Sequence, residues 1–321
     1  MKILLIKNPG SKNNKSKKLF DSIFNKLTEN EFDYDYSITK TLNDAYDLSL
    51  AANLSNKYDT IVAVGGDGTI NRVLSGFYNN EGKRNSSARF SVIYTGSSPD
   101  FCKSYNIPID IAEAVNCIVR ENIKKIKIGK IKYSNFPEEL RVCDSKNFSI
   151  GFFACCSNIG IGAELADTVN TGIRKYFGDI FGTFISLIKT LLIFKQFSIK
   201  IIEAGKTINL DRVCNISIGR TYFIASGIKI KNDLTLDLRK FYELIIQNVS
   251  MKNIFQILHF IYSGKNIRPL NYISLRHIEK IELFSDKNYQ KIGVEFDGDR
   301  YGYILCEISF AEEELEIICN E

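Results

Sequence analysis

Thr60 to Leu74 reads TIVAVGGDGTINRVL: a β-branched run, five residues poor in side chain with an acid among them, then apolar residues at helical spacing. A strand that feeds a glycine turn and then a helix commits the chain to an α/β layer with loops at its strand ends. Glycines let backbone turn tightly and approach phosphate oxygens, and the following helix offers unpaired N–H groups and a favourable dipole. The stretch is a phosphate site in outline. Asp67 opposes a bare anion there, so it orders the loop, polarises a hydroxyl or faces a Mg2+-bound phosphate.

The same rhythm surrounds it. Lys2 to Lys7 is an apolar run that stops at NPGSKNNK and is followed by Leu19, Phe20, Ile23, Phe24 and Leu27 at helical spacing. Phe32 to Ile38 alternates as a strand, TLNDAYDLSLAANL is periodic as a helix, and Ile70, Val73, Leu74 and Phe77 mark the helix after the glycines. RFSVIYTG and IDIAEAVNCIVREN add one more strand and helix. Residues 1–126 are therefore predicted as an open α/β domain with a mainly parallel sheet, and the loops Asn8 to Ser11 and Thr95 to Asp100 fall at the same strand ends as the glycines.

Beyond Lys124 short alternating runs broken by glycine, asparagine and aspartate predict a mostly antiparallel β-sandwich over residues 127–306. A helical insert, roughly residues 162–197, interrupts it, and MKNIFQILHFIYSG is a further helical piece. The insert is nearly apolar all round, yet Asp179 and Lys189 leave it too broken for a bilayer span, which needs ~20 consecutive apolar residues. It reads as a buried helix, or as a face touching lipid beside Arg174, Lys175, Lys189, Lys195 and Lys200.

Composition removes several classes. A formal charge of +5 is mild, and basic residues are neither clustered nor interleaved with an aromatic strip, so no nucleic-acid partner is expected. Eight scattered cysteines and two histidines support no zinc site; adjacent Cys155 and Cys156 read as buried free thiols, and the short apolar amino terminus as a first strand in a cytosolic protein. No G-x-G-x-x-G follows the first strand and no G-K-[S/T] closes a glycine loop, so a nucleotide would be held in some other way.

NPGS (Asn8 to Ser11), GGDGTIN (Gly65 to Asn71), TGSSPDF (Thr95 to Phe101), NIP (Asn106 to Pro108), NIGIGAE (Asn158 to Glu164) and EFDGD (Glu295 to Asp299) stand in an order that resembles the diacylglycerol kinase catalytic-domain family over essentially the whole chain. That family includes sphingosine and ceramide kinases and is more distantly similar to NAD kinase. The resemblance implies a nucleotide-binding α/β domain, a carboxy-terminal β-sandwich, Mg2+-ATP in the cleft, a lipid hydroxyl as acceptor, and a last segment (residues 307–321) returning to the first domain. It places nucleotide contacts on Asn8, Pro9, Ser11, Gly65, Gly66, Gly68, Thr69, Asn71, Arg72, Gly96 and Ser97, and catalytic roles on Asp67, Asp297 and Asp299. It further implies Mg2+ held through ATP by Asp67, a structural Mg2+ at Asp233, and a cytoplasmic protein peripheral at the inner membrane face, with a homodimer as one assembly open to it. From the residues alone, the Asp297-Gly298 pair is first a type I′ hairpin. The family's usual GTxNDFA is GSSPDFC here, which puts Pro99 at the asparagine; Arg72 replaces a family Glu and is expected in the first helical turn, against the dipole.

Overall fold

The computed structural model describes residues 1–9, 16–96, 99–137, 147–168, 190, 193–224, 228–229, 231–232, 239–250, 253–254, 256–257, 259, 266–267, 269–285 and 291–321. The helical insert lies largely outside the described residues, beyond its first helix. Two compact units emerge, Met1–Ile128 with Ala311–Glu321, and Gly129–Phe310.

In chain order the first unit holds β1 (Lys2–Lys7), α1 (Ser16–Glu29), β2 (Asp33–Ile38), α2 (Leu42–Ser55), β3 (Thr60–Gly65), α3 (Asp67–Ser75), β4 (Arg89–Tyr94), α4 (Asp100–Ser104), α5 (Ile111–Arg120) and β5 (Ile123–Ile126). The second holds β6 (Gly129–Ser134), β7 (Phe148–Phe153), β8 (Cys156–Gly160), α6 (Ile161–Thr168), β9 (Phe197–Glu203), β10 (Lys206–Gly219), β11 (Phe223–Ile224), β12 (Ile228–Lys229) and β13 (Lys231–Asn232). It continues with β14 (Phe241–Gln247), β15 (Asn266–Ile267), β16 (Ile273–Ile278), β17 (Ile281–Ser285), β18 (Gly293–Phe296) and β19 (Asp299–Phe310), and β20 (Leu315–Ile318) returns to the first unit.

The sheet of the first unit runs β2-β1-β3-β4-β20-β5. All pairs from β2 to β20 are parallel, and β20 meets β5 antiparallel. β3 is buried at every position, as a strand covered on both faces should be. Phe20, Ile23 and Leu27 of α1 pack with Ala114, Val115 and Ile118 of α5 on Ile3, Leu5, Val62, Val64 and Ile93. α2 packs instead on α3, where Ser49 Oγ donates to the Val73 carbonyl at 2.6 Å. β1 leads outward to β2 while β3 leads the opposite way to β4, so the loops at the carboxyl ends of β1 and β3 part company, and open α/β sheets bind ligands at such a switch point.

In the second unit a ten-stranded antiparallel sheet runs β16-β14-β10-β8-β18-β19-β17-β9, with β6 branching from β19 and β7 pairing on β6. Its long strand β10 pairs β9 along Lys206–Leu210 and β8 along Asn215–Gly219, with a bulge between Leu210 and Val213, so the sheet closes on itself. Ile159, Ile216, Ile218, Ile199, Leu283, Val294 and Phe296 fill its apolar interior. Among the described residues seven cysteines are free and buried, including Cys155 and Cys156; no described helix is long and apolar enough to cross a membrane.

Phe296 ties this core to the acidic segment that follows it. Its ring stacks on Tyr301 at 3.8 Å between centroids and leaves no room for a Cβ at Gly151. Phe296→Ala is expected to cost about 3–5 kcal/mol of stability by emptying this stack, measured by denaturant unfolding; a loss below 1 kcal/mol would show that the core does not hold the segment.

Candidate functional site

Helix α3 begins at Asp67, three residues before the first of its apolar positions. Only Gly65 and Gly66 form the bend, and Asp67, Gly68 and Thr69 are the first helical turn. The cap residue Gly66 has no side chain to satisfy the turn's N–H groups, whereas α2 carries a full capping box from Thr41 and Asp44 and α5 is capped by Asp110. A first turn whose cap residue offers no side-chain acceptor, at a positive helix end, suits an anion.

Neighbouring loops brace this bend. Asn8 donates its backbone N–H to the Val64 carbonyl at 3.0 Å and its Nδ2 to Thr69 Oγ1 at 2.9 Å, which joins the end of β1 to the first turn of α3. The N–H of Thr95 donates to the Gly65 carbonyl at 2.9 Å. A Cβ on Gly96 would stand 2.6 Å from both the Gly66 Cα and the Tyr94 Oη, so the two loops approach closer than any side chain permits. Asp67 accepts from the Tyr94 hydroxyl and from the Phe101 N–H, both at 3.4 Å, which aims its carboxylate at the β4 loop. Thr69 and Asn71 are buried.

The earlier helix start corrects the expectation for Arg72. It occupies the last turn of α3, where a cation favours the dipole instead of opposing it, and not the turn that faces an anion. Pro9 follows Asn8 directly and is exposed. Ser11, Ser97 and Asp233 lie outside the described residues.

Asp297 and Asp299 belong to the second unit, at the junction of β18 and β19. Phe296 pairs with Asp299, leaving Asp297 and Gly298 as a two-residue connection with φ of 49° and 96°. Positive φ at both positions is the type I′ hairpin, so the local reading of the sequence describes the backbone. The Asp297 carboxylate accepts backbone N–H groups from Ala154 at 2.8 Å, Cys155 at 2.9 Å and Cys156 at 3.2 Å, and its own N–H donates to the Cys156 carbonyl at 3.0 Å. It is an anchor as well as an acid.

Glu295, within the same EFDGD stretch, carries a role the sequence did not announce. It is buried, accepts from Asn158 Nδ2 at 2.6 Å and from the Gly298 N–H at 2.6 Å, and Ser157 Oγ donates to its carbonyl at 2.8 Å. Burial, with a smaller push from the nearby Asp297 and Asp299, raises its carboxyl to about 8 against the opposing pull of the Asn158 and Gly298 hydrogen bonds. An acid within an alternating run reads as solvent-facing; the signal available was the polar pair Ser157 and Asn158 in the strand that follows the apolar Gly151 to Cys156 run.

Comparison with known proteins places the chain beside diacylglycerol kinases. The profile of the diacylglycerol kinase catalytic domain matches residues 2–131. Over 313 residues the chain is 22% identical to a Staphylococcus carnosus (strain TM300) protein named diacylglycerol kinase, which covers 98% of this chain and 93% of the relative. A Staphylococcus aureus (strain JH9) protein of the same name is 33% identical over 76 residues, or 24% of this chain and 23% of its own. A solved chain from Bacillus anthracis str. Sterne, put forward as a diacylglycerol kinase, superposes with a TM-score of 0.76 over 99% of this chain and 97% of its own, at 20% identity. The last likeness is one of fold.

Gly96→Ala tests the loop packing on which the bend depends. Separating the two loops is expected to cost about 1–3 kcal/mol of stability, read by denaturant unfolding. Wild-type stability in the variant would show that the close approach does not shape the bend.

Proposed function

From a chain that carries the lipid-kinase fold of the diacylglycerol kinase catalytic-domain family, we infer a phosphotransferase that moves the γ-phosphoryl group of ATP to a lipid hydroxyl, with diacylglycerol as the acceptor. The observation that carries it is the uncapped first turn of α3, set at the β1/β3 switch point and braced by Asn8 and Gly96. The name of the Staphylococcus carnosus relative supports the choice of acceptor.

The donor set at the bend fits a Mg2+-nucleotide. Backbone N–H groups and a positive helix end receive phosphate oxygens, while Asp67 supplies the carboxylate that a hard cation on those phosphates needs. Gly66, Gly68 and Thr69 would hold the phosphates, with Asn8 keeping the Thr69 hydroxyl in place. Bound Mg2+ supplies neutralisation of charge on the phosphoryl group in transfer. Phosphoryl transfer otherwise asks for positioning, and rigid bracing of the bend by β1 and β4 provides it on this side.

For the acceptor, Asp297 secures the hairpin through three backbone N–H groups, and Asp299 orients the lipid hydroxyl and receives its proton. Such a substrate brings the protein to the inner membrane face as a peripheral, cytoplasmic enzyme, with a homodimer open to it. A second reading, binding without turnover, draws on Pro99, which begins α4 with no side-chain cap where the resembling family carries asparagine.

Phosphorylation of dispersed diacylglycerol, ceramide, sphingosine and NAD, each with and without Mg2+, separates these readings. Mg2+-dependent transfer to diacylglycerol is expected, and Asp67→Ala should lower it by at least about 100-fold. Transfer to NAD alone would overturn the lipid acceptor, and unchanged turnover in the Asp67 variant would overturn the site. Nucleotide binding without transfer to any acceptor would favour the second reading.

A further inference from the structure

A polar row crosses the sheet of the second unit on the face opposite its apolar interior. Glu295 of β18 lies opposite Asn158 of β8, and Asn158 opposite Ser217 of β10. Ser217 Oγ donates to Asn158 Oδ1 at 2.6 Å, and Asn215 Nδ2 donates to Ser217 Oγ at 2.8 Å. Asn215 Oδ1 accepts the N–H of Gly162, in the first turn of α6, at 2.9 Å. Asn158 Nδ2 completes the row on Glu295 Oε2, and α6 packs over these strands. Exposures of 5% for Glu295, 6% for Asn215 and 2% for Ser217 mean that water contributes little to satisfying it.

Apolar side chains would fill such a row at no cost in stability, as they do at Val294, Ile159 and Ile216 on the other face. What polar groups add is direction, because a fully bonded network permits one arrangement of its members. The row ends on Gly298, whose N–H donates to Glu295 Oε1 at 2.6 Å in the middle of the acid hairpin.

We propose that Glu295 is a positioning residue: held by Asn158, which Ser217 holds in turn, it fixes the Gly298 peptide and so sets where Asp299 presents its carboxylate to the acceptor hydroxyl. The proposal deepens the phosphotransferase reading and rests on it for the identity of the acceptor. Glu295 does not touch substrate in this scheme; Asp299 does.

Protonation follows from the same burial. The groups around Glu295 are Asp297 and Asp299 in the hairpin, Cys156 on β8, Tyr242 on β14, and Arg300 on β19, which pairs with Glu164 of α6. With its carboxyl pushed up to about 8 from 4.5, Glu295 keeps its proton at neutral pH. The folded state then holds a proton that the unfolded chain releases, so this group's contribution to stability falls as pH rises from 4.5 to about 8 and is level above that. Ionisation above pH 8 charges the residue that orients Asp299, and turnover should fall there.

The full chain, with Mg2+-ATP and diacylglycerol in mixed micelles, tests this through Glu295→Ala, Glu295→Gln and Asn158→Ala. Glu295→Ala is expected to lower kcat on the order of 10- to 100-fold with the KM for ATP within about twofold, while Gly298 amide exchange quickens roughly tenfold. Glu295→Gln, uncharged and of the same shape, should recover kcat at pH 7 to within about threefold and lose the decline near pH 8. Asn158→Ala should reproduce the faster Gly298 exchange, and it carries the test with Glu295→Gln if Glu295→Ala fails to fold. Wild-type kcat and Gly298 exchange in Glu295→Ala, or an unaltered alkaline decline in Glu295→Gln, would overturn the proposal. Should the wild-type protein phosphorylate no lipid, the acceptor reading falls by itself; unchanged Gly298 exchange in Glu295→Ala and Asn158→Ala would then overturn the positioning role.

Discussion

The close approach of Gly66 and Gly96 is the constraint on which the bend of the first unit depends. A Cβ on Gly96 would stand 2.6 Å from the Gly66 Cα, so two loops that leave neighbouring strands are fused into one bend. Backbone bonds from Asn8 to Val64 and from Thr95 to Gly65 close the same seam from both sides. A glycine cap cannot satisfy the first turn of α3 with a side chain, and rigid neighbours keep that turn from fraying. Preorganised donors that need no rearrangement are what a transferring phosphoryl group rewards.

The second unit solves a different problem with opposite means. Its apolar interior closes through β10, yet the other face of the sheet is spent on Glu295, Asn158, Ser217 and Asn215, hydrogen-bonded in series up to the start of α6. At the end of this series lies a two-residue hairpin whose first acid is clasped by three backbone N–H groups. Strand core, polar row and clasp converge on one turn, which makes the hairpin a poor candidate for a loose surface connection.

Periodicity made the first unit legible. Period-2 and period-3.6 runs located β1, α2, β3, β4 and α5, and a β-branched strand entering glycines marked the bend. The start of α3 was not legible, because two glycines and an aspartate lower helix propensity, and position at the end of a buried strand overrides it. That shift of one turn moved Arg72 from a position that opposes the helix dipole to one that favours it. In the second unit the alternating runs announced antiparallel strands, while the double pairing of β10 is a long-range property with no local pattern. Glu295 stayed hidden for the same reason: its partners Asn158 and Gly298 come from different strands, and only register brings them together. The Asp297-Gly298 pair was legible as a hairpin from its residues, while the functional role expected of it came only from the resemblance.

The central claim is that the bend from β3 into α3 grips the phosphates of a nucleotide. Amide chemical shifts of the full chain, followed during titration with Mg2+-ATP, test it most directly. Saturable shifts centred on Gly66, Asp67, Gly68 and Thr69, with Asn8 and Gly96 moving alongside, are the predicted result. Binding that leaves these amides unmoved while others respond would contradict the account.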